Sequence, residues 1–323
     1  MLKLMKLIFY RISHDKAFLI VYLVLIPIVI GFAVYFTNSM SYQMRIGVVG
    51  NIETVANAEV QYISLKEIPE NSQMVLNQYD AVIYQEDQNV KVLSTKGEEY
   101  NQAIQLLING QINSLSTDEG RGTASNILGF LMMVISLLGV QIYSYYFDER
   151  KGINKRILGT SVHCYQYMMS HFIVVFSFLF VPAVTVICGA LFVFDIPLSI
   201  ALWQFVLTLM LLCFFATAFG LWINVLSKTL EESMMLGNMF AIVGAIVSGG
   251  FVQVTNNEIF NAIVQVFPQK QIMSLLLSLE NHTTIPILGI LYVAVISILF
   301  IVIAIIVEKK KLLLISSGLV SRI

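Results

Sequence analysis

The chain has 323 residues, of which 57% are hydrophobic and only 12% are charged. Soluble domains carry roughly twice that fraction of charged residues, and the apolar residues here gather in long runs. Composition therefore excludes an ordinary soluble domain and predicts an α-helical integral membrane protein. Cys164, Cys188 and Cys213 lie in or beside apolar runs, so they predict no disulfide framework. The scattered histidines form no metal-binding spacing.

Residues 1–16 predict an amphipathic helix at the cytoplasmic interface, because apolar and basic positions separate at helical spacing. The apolar face comprises Leu4, Leu7, Ile8 and Ile12, and the basic residues are Lys3, Lys6, Arg11 and Lys16. A first transmembrane span follows at residues 17–37, with Pro27 predicted to kink it. Its length exceeds that of a typical signal-peptide core, and no small-x-small cleavage site follows, so we expect an uncleaved signal anchor.

Residues 38–122 are polar and contain no spanning run. Strands are predicted at 44–50, 79–84 and 89–94, with a polar turn at 85–88, and helical character at 71–78 and 98–108. This pattern predicts a small extracytoplasmic α/β domain inserted between the first and second spans. Its excess of acidic residues offers attraction to cationic ligands or, as the favoured interpretation, simple solubility.

Five further spans complete a predicted six-helix architecture in the permease region, residues 123–323. They are placed at 124–146, 168–194, 198–226, 233–254 and 286–307. Tyr143, Tyr145 and Tyr146 at the end of the second span are interpreted as interfacial anchors. Between the last two spans, residues 275–279 are predicted to be re-entrant or interfacial, and a basic tail, Glu308–Lys311, is predicted after the last span.

The basic residues predict the orientation of the spans. Short connections on one side are rich in them, and those on the other side are nearly free of them. The basic residues of that other side, Arg45, Lys66, Lys91, Lys96, Arg121 and Lys270, lie mostly within the long inserted domain, which escapes the charge rule. The basic side comprises the N-terminal residues above together with Arg150, Lys151, Lys155, Arg156, Lys228, Lys309, Lys310, Lys311 and Arg322. Both termini are therefore predicted to be cytoplasmic, and the chain is expected in the plasma membrane of a bacterium.

The sequence offers little catalytic chemistry of its own. It contains no phosphate-binding GxxxxGK[ST] loop, no GxSxG and no metal cluster. His171 is the ionisable residue noted in a span, near one end, which argues against a proton-coupled or ion-coupled carrier. An apolar or amphipathic substrate is permitted, and energy is expected to arrive from another protein.

The charged stretch at 147–161, between the second and third spans, reads FDERKGINKRILGTS. Its second half is compatible with a short helix that has Ile153, Ile157 and Leu158 on one face and basic residues on another. Two interpretations stay open. The stretch contacts a cytoplasmic partner, or it is a solvated loop that only fixes topology.

The ordered set of features resembles the ABC-2 type transporter permeases, in the branch with a large extracytoplasmic domain between the first two spans. The resemblance is carried by the basic amphipathic N-terminal helix, the inserted domain with its strands at 45–49 and 79–83, the charged stretch after the second span, and the polar segment with Pro268 before the last span. Together these features cover nearly the whole chain.

The resemblance implies an exporter subunit that is not itself an enzyme. Two permease subunits, as a homodimer or a heterodimer, would pair in the bilayer, with ATP and Mg²⁺ on separate ATPase subunits and no cofactor in this chain. Residues 147–162 would form the coupling loop that docks on the ATPase, through Glu149, Arg150, Lys151, Gly152, Lys155 and Arg156. Glu149 and Arg156 are expected to matter most. Substrate would pass between the permeases along spans two and five, and no nucleic acid is involved.

Two other classes of protein remain as alternatives. One is a membrane-anchored binding or immunity protein that does not transport, from which the coupling-like stretch distinguishes an exporter. The other is a secondary transporter, which the scarcity of ionisable residues in the spans disfavours. The sequence identifies no substrate-binding residue and no particular peptide, antibiotic or lipid-like substrate.

Overall fold

The computed structural model describes residues 2–14, 24–25, 27–32, 44–50, 60–65, 69, 79, 81–86, 89–94, 101, 104–105, 122–150, 162–193, 198, 200–249 and 263–316. The chain divides into two compact units. One unit is Tyr35–Gly120, and the other combines Met1–Val34 with Arg121–Ile323.

The unit Tyr35–Gly120 contains a four-stranded sheet. Its strands are β1 (Met44–Val49), β2 (Val60–Leu65), β3 (Ala81–Glu86) and β4 (Asn89–Leu93), in the order β2-β1-β3-β4. β1 pairs in parallel with β2 and β3, whereas β3 and β4 form an antiparallel pair. Glu86 pairs with Asn89, so β3 extends two residues into the segment predicted as a turn.

The two central strands carry the core of this unit. Ile46 of β1 and three consecutive residues of β3, Ala81, Val82 and Ile83, are all fully buried. Consecutive burial is typical of a strand covered on both faces. β2 was not predicted from the sequence, because its polar residues, Gln61 and Ser64, lie three positions apart and break the alternation of a strand. The predicted helix at 71–78 lies outside the described residues, and Asn101, Ile104 and Gln105 are helical within the segment predicted at 98–108.

The second unit is helical. Its helices are α1 (Leu2–His14), α2 (Thr123–Gln141), α3 (Ser144–Arg150), α4 (Cys164–Val193), α5 (Leu202–Leu226), α6 (Leu230–Val247), α7 (Pro268–Glu280) and α8 (Ile287–Ser316). Within the described residues, five helices are long and apolar enough to cross a membrane, the first of them continuing from α2 into α3. The predicted first span lies largely outside the described residues, apart from helical residues at 24–25 and 27–32.

α5 is the central helix of this unit. It packs against α2, α4, α6, α7 and α8, and 67% of its most apolar 18-residue segment is buried. The corresponding segment of α8 is only 22% buried, as expected for a helix that faces lipid along much of its length. α5 is thus apolar on all sides, as a helix in the middle of a membrane bundle is, whereas a surface helix of a soluble protein is apolar on one side only.

α2 and α5 meet at small residues. A Cβ atom added to Gly139 of α2 would lie 2.6 Å from the backbone oxygen of Ala216 on α5. A Cβ atom on Gly220 would overlap the backbone oxygen of Gly139. Since each obstruction is backbone rather than a flexible side chain, the two helices can approach this closely only without side chains at these positions.

α6 begins three residues earlier than the predicted fifth span. Thr229 precedes its first turn and accepts a hydrogen bond from the backbone N–H of Glu232 at 3.2 Å. The Glu232 carboxylate accepts in return from the backbone N–H of Lys228 at 2.8 Å. This reciprocal cap, readable in the sequence as Thr-x-x-Glu, converts part of the predicted polar loop into the first helical turn.

α7 lies inside the bundle and connects α6 to the start of α2. Pro268 occupies its first turn, where a missing N–H costs nothing, and the Gln269 side chain lies against Gly244 of α6. At the other end, the buried Glu280 carboxylate accepts hydrogen bonds from the backbone N–H groups of Gly122 and Ser125, each at 3.1 Å. A carboxylate at the N-terminus of α2 satisfies donors that have no partner within the helix.

Replacing Gly220 with Ala should destabilise the protein by about 2 kcal/mol or more, because the added methyl group meets the backbone of α2. The measurement is the thermal midpoint of unfolding in mild detergent. Gly189→Ala on α4 is the matched control, since its Cβ meets nothing within 4 Å. Equal midpoints for the two variants would contradict the close approach.

Replacing Glu280 with Ala should cost about 1–3 kcal/mol, because two buried backbone donors at the start of α2 lose their acceptor. Glu280→Gln should retain part of the stability, since one oxygen remains to accept. Hydrogen exchange at the first turn of α2 would report the change directly. Unchanged protection of Ser125 in Glu280→Ala would show that another group caps the helix.

Candidate functional site

The basic end of the bundle, where α2 and α5 end and α4 and α6 begin, carries the described part of the predicted coupling region. Glu149 and Arg150 are the last residues of α3, and Phe147 lies one turn earlier in the same helix. Lys151, Gly152, Lys155 and Arg156 lie outside the described residues. Asp148 to Arg150 are thus helical rather than part of a loop, as a continuation of the second span.

Aromatic residues fix the start of α3 against α4. Tyr143 and Tyr146 are completely buried, as are Tyr167 and His171 of α4. The His171 ring lies 4.5 Å from the Tyr167 ring and 6.0 Å from the Tyr146 ring, both edge-on. The Tyr145 hydroxyl contacts His171 Nδ1 at 3.4 Å. We call these five residues, Tyr143, Tyr145, Tyr146, Tyr167 and His171, the tyrosine–histidine cluster.

The cluster corrects the interpretation of the tyrosines as interfacial anchors. A tyrosine at a lipid interface exposes its ring to headgroups, whereas Tyr143 and Tyr146 are 0% exposed within the protein itself. Position at the end of an apolar run is the same in both cases, so the sequence alone does not distinguish them. The start of α3 is therefore fixed by packing against α4, and the last residues of α3 follow this rigid segment.

Asn224 ties the end of α2 to α5. Its side-chain amide donates to the backbone oxygen of Val140 at 3.1 Å and to that of Gly220 at 2.7 Å. Val140 also meets α6, because a Cβ atom on Gly237 would lie 2.5 Å from Val140 Cγ1. Three helices therefore converge at Val140, one turn before α3. The sequence analysis missed Asn224, whose signal is a single amide inside an otherwise apolar run.

The residues predicted as a basic tail after the last span belong to α8. Glu308 is 3% exposed, and the Lys311 ammonium donates to the backbone oxygen of Val225. A cation near the last carbonyl groups of α5 interacts favourably with its dipole. The last span is therefore a longer helix than predicted, and its end contributes to the basic end of the bundle. The structure thus buries Glu280 and Glu308 as well as His171, the ionisable residue that the sequence placed in a span.

α1 packs against α4, the helix that follows the charged stretch. Ile8 and Ile12 are buried, and the Phe9 ring lies 4.9 Å from that of Phe178. Leu7, predicted to share the apolar face, is 46% exposed. Among the described residues, the buried face of α1 is thus narrower than the amphipathic pattern predicts.

Among the residues that the structure describes, no three His, Cys, Asp or Glu side chains are grouped to hold a metal ion. The arrangement at the basic end instead offers charged residues at the exit of a helix whose base is rigid. The described part of this unit is a helical bundle with five candidate membrane spans, and the sequence contains no nucleotide-binding motif.

Comparison with protein families identifies the permease. The family described as ABC-2 family transporter protein matches residues 50–306, and the chain belongs to this family. It is therefore a multi-pass membrane permease subunit of an ABC transporter, and membership implies association with an ABC ATPase subunit, as the sequence resemblance predicted. A comparison with curated proteins gave no match.

Replacing Asn224 with Leu should destabilise the bundle by about 1–2 kcal/mol, because two hydrogen bonds are lost, one of them between helices. Thr185→Val on α4 is the control, since its hydroxyl bonds only within its own helix. Thermal unfolding in detergent distinguishes them. An equal fall of the unfolding midpoint in both variants would show that the hydrogen bond from α5 to α2 contributes no more to stability than a bond within one helix.

Proposed function

We propose that this chain is the permease of an ATP-driven exporter and that residues 147–161 form its contact with the ATPase. The observation that carries the proposal is the attachment of α3. α3, which contains the first residues of the stretch, continues the span of α2, and its Tyr145 and Tyr146 rings contact His171 of α4. A force applied at Glu149 and the residues after it acts on two spans through a stiff connection.

The same geometry accounts for transmission into the bundle. Packed side chains do not deform continuously, so displacement of α3 moves the end of α2. Asn224 and Val140 then pass the displacement to α5, and Gly237 passes it to α6. In this mechanism ATP and Mg²⁺ are bound on the partner, and this chain contributes charged contacts and a rigid connection.

The positive charges indicate how the chain is oriented in the membrane. Lys228, Lys309 and Lys310 are exposed at the basic end, and short basic connections remain in the cytoplasm. Both termini and the charged stretch then lie inside the cell, which we propose to be bacterial. α2 begins at the opposite end, so residues 38–122 lie outside, and with the span at 17–37 the chain crosses the membrane six times.

We propose a hydrophobic or amphipathic substrate that passes between two permease subunits along α2 and α6. α6 buries its small residues and exposes large ones, so an apolar face remains outside the subunit. The exposed residues are Met235, Leu236, Met239, Phe240, Ile242, Val243 and Ile246. α2 leaves a half-buried stripe at helical spacing, formed by Asn126, Phe130, Met133, Leu137 and Gln141.

The experiment is purification of the full chain, expressed with its ATPase, in mild detergent, followed by quantification of the ATPase that co-purifies. The double variant Glu149→Ala, Arg156→Ala should recover at least about tenfold less ATPase, which corresponds to about 1.4 kcal/mol of lost contact. The physical reason is the loss of both charges that we expect to dominate docking.

The control is Lys228→Ala, Glu231→Ala, which removes one positive and one negative charge from exposed positions, Lys228 just before α6 and Glu231 in its first turn. Recovery of the ATPase with this variant, and its loss with the other, supports the contact at 147–161. Recovery of the chain without any ATPase under several gentle conditions would favour a binding or immunity protein. Equal recovery with both variants would place the contact elsewhere.

A further inference from the structure

A pocket with a volume of about 490 Å³ lies between α4, α5, α7 and α8. This volume falls in the range of sites for a single small ligand. Nearly all of its surface is apolar, and the polar residues in its lining are Gln204 and Thr208. The Thr208 hydroxyl already donates to the backbone oxygen of Gln204. A ligand inside the pocket is therefore held by apolar contact.

The pocket extends over the thickness of one leaflet. Along α5 its lining runs from Trp203 to Phe214, a length of roughly 16 Å at 1.5 Å per helical residue. Half of the hydrocarbon core of a bilayer is about 15 Å. Phe176 and Phe214 line the end deepest in the bundle, with their rings 6.4 Å apart. The cavity thus begins at the end of the spans and stops near their middle.

The two ends of the pocket differ in polarity. Trp203 lies at the shallow end and is 64% exposed. Leu279 and Ile285, which also line the pocket, flank the exposed polar turn at 281–284. The turn is held in place by the Thr283 backbone N–H, which donates to the Ser278 oxygen at 2.9 Å. A tryptophan beside a polar turn is the arrangement found at headgroup level, so the shallow end suits a polar head and the deep end suits a chain.

The surroundings of the pocket decide between a membrane lipid and the transported substrate. The described lining comes from α4, α5, α7 and α8 and the residues beside them, and none of it from α2 or α6. The pocket is therefore separate from the proposed path of transport. On α8 it borders residues that are strongly exposed, among them Leu288 and Leu291, where the neighbour is bilayer lipid. Phospholipid is thus the amphiphile continuously available at its mouth.

We propose that this pocket holds one acyl chain of a phospholipid from the leaflet at the end where α2 begins. The chain fills the space between α7 and α4, and the headgroup lies at the turn 281–284. An occupied pocket supports α7, the helix that caps α2 through Glu280. The proposal depends on membership of a membrane protein family and not on the ATPase contact, so the two can fail separately.

The test reconstitutes the full chain in vesicles of phosphatidylethanolamine and phosphatidylglycerol. A trace of the phosphatidylglycerol carries a diazirine at the end of one acyl chain. After illumination, labelled peptides are mapped by mass spectrometry. Labelling is expected at the deep end of the pocket, around Leu211 to Phe214 on α5 and Leu275 on α7.

Leu207→Trp places a large ring in the pocket from a position that is 49% exposed, so the helix itself need not repack. Labelling of the deep end should fall roughly tenfold, since displacing two methylene groups from an apolar site removes about that factor. Leu299→Trp on α8, also exposed and outside the pocket, is the control and should leave the labelling unchanged. Leu279→Trp provides a second blocking variant if the first fails to fold.

Three results would overturn the proposal. Labelling that is equal in the blocked and control variants would show only general contact with lipid. Absence of label from the deep end would show that another segment, such as residues 15–23 or 33–43, occupies the space. Efficient disulfide-linked dimers of Leu207→Cys, with no label at the pocket, would assign the space to a second copy of the chain.

Discussion

The close backbone approach of α2 and α5 is the constraint on which the helical unit depends. In lipid, apolar side chains gain little by leaving their surroundings, so helices associate through contact and hydrogen bonding. Gly139, Ala216 and Gly220 allow that contact, and Asn224 adds the hydrogen bond that fixes its register. α5 also packs against α4, α6, α7 and α8. The positions of the other described spans therefore depend on the packing of α2 against α5.

The close packing of α2 against α5 also makes the basic end of the bundle rigid. α2 is held by α5 and α6 at Val140, and its continuation α3 is held by α4 through the tyrosine–histidine cluster. The charged stretch therefore leaves the bundle from a base that is packed on several sides. A transport subunit that receives its energy from an ABC ATPase requires such a base, since a flexible connection would absorb the displacement before it reached the spans.

Sequence reasoning recovered the features that depend on long averages or local patterns. Apolar runs predicted the five spans that lie within the described residues, and short runs rich in β-branched residues predicted β1, β3 and β4. It missed β2, whose polar Gln61 and Ser64 conceal a strand that depends on pairing with β1. It also missed Glu280, because a carboxylate at the end of a short helix shows no sign in the sequence that Gly122 and Ser125 will donate to it. The coupling role of all the predicted residues, Glu149 and Arg150 included, remains a prediction.

Amino-acid composition and residue order are enough to identify the chain as a multi-pass membrane permease of the ABC-2 family. Hydropathy and family pattern are properties of composition and order, and neither requires knowledge of which helices touch. Only the tertiary structure decided that Tyr146 is core rather than interface, that Glu308 belongs to a helix rather than a tail, and that α4, α5, α7 and α8 enclose an apolar pocket. These outcomes depend on neighbours distant in the chain, and in a uniformly apolar helix periodicity carries almost no information about which side faces protein and which faces lipid.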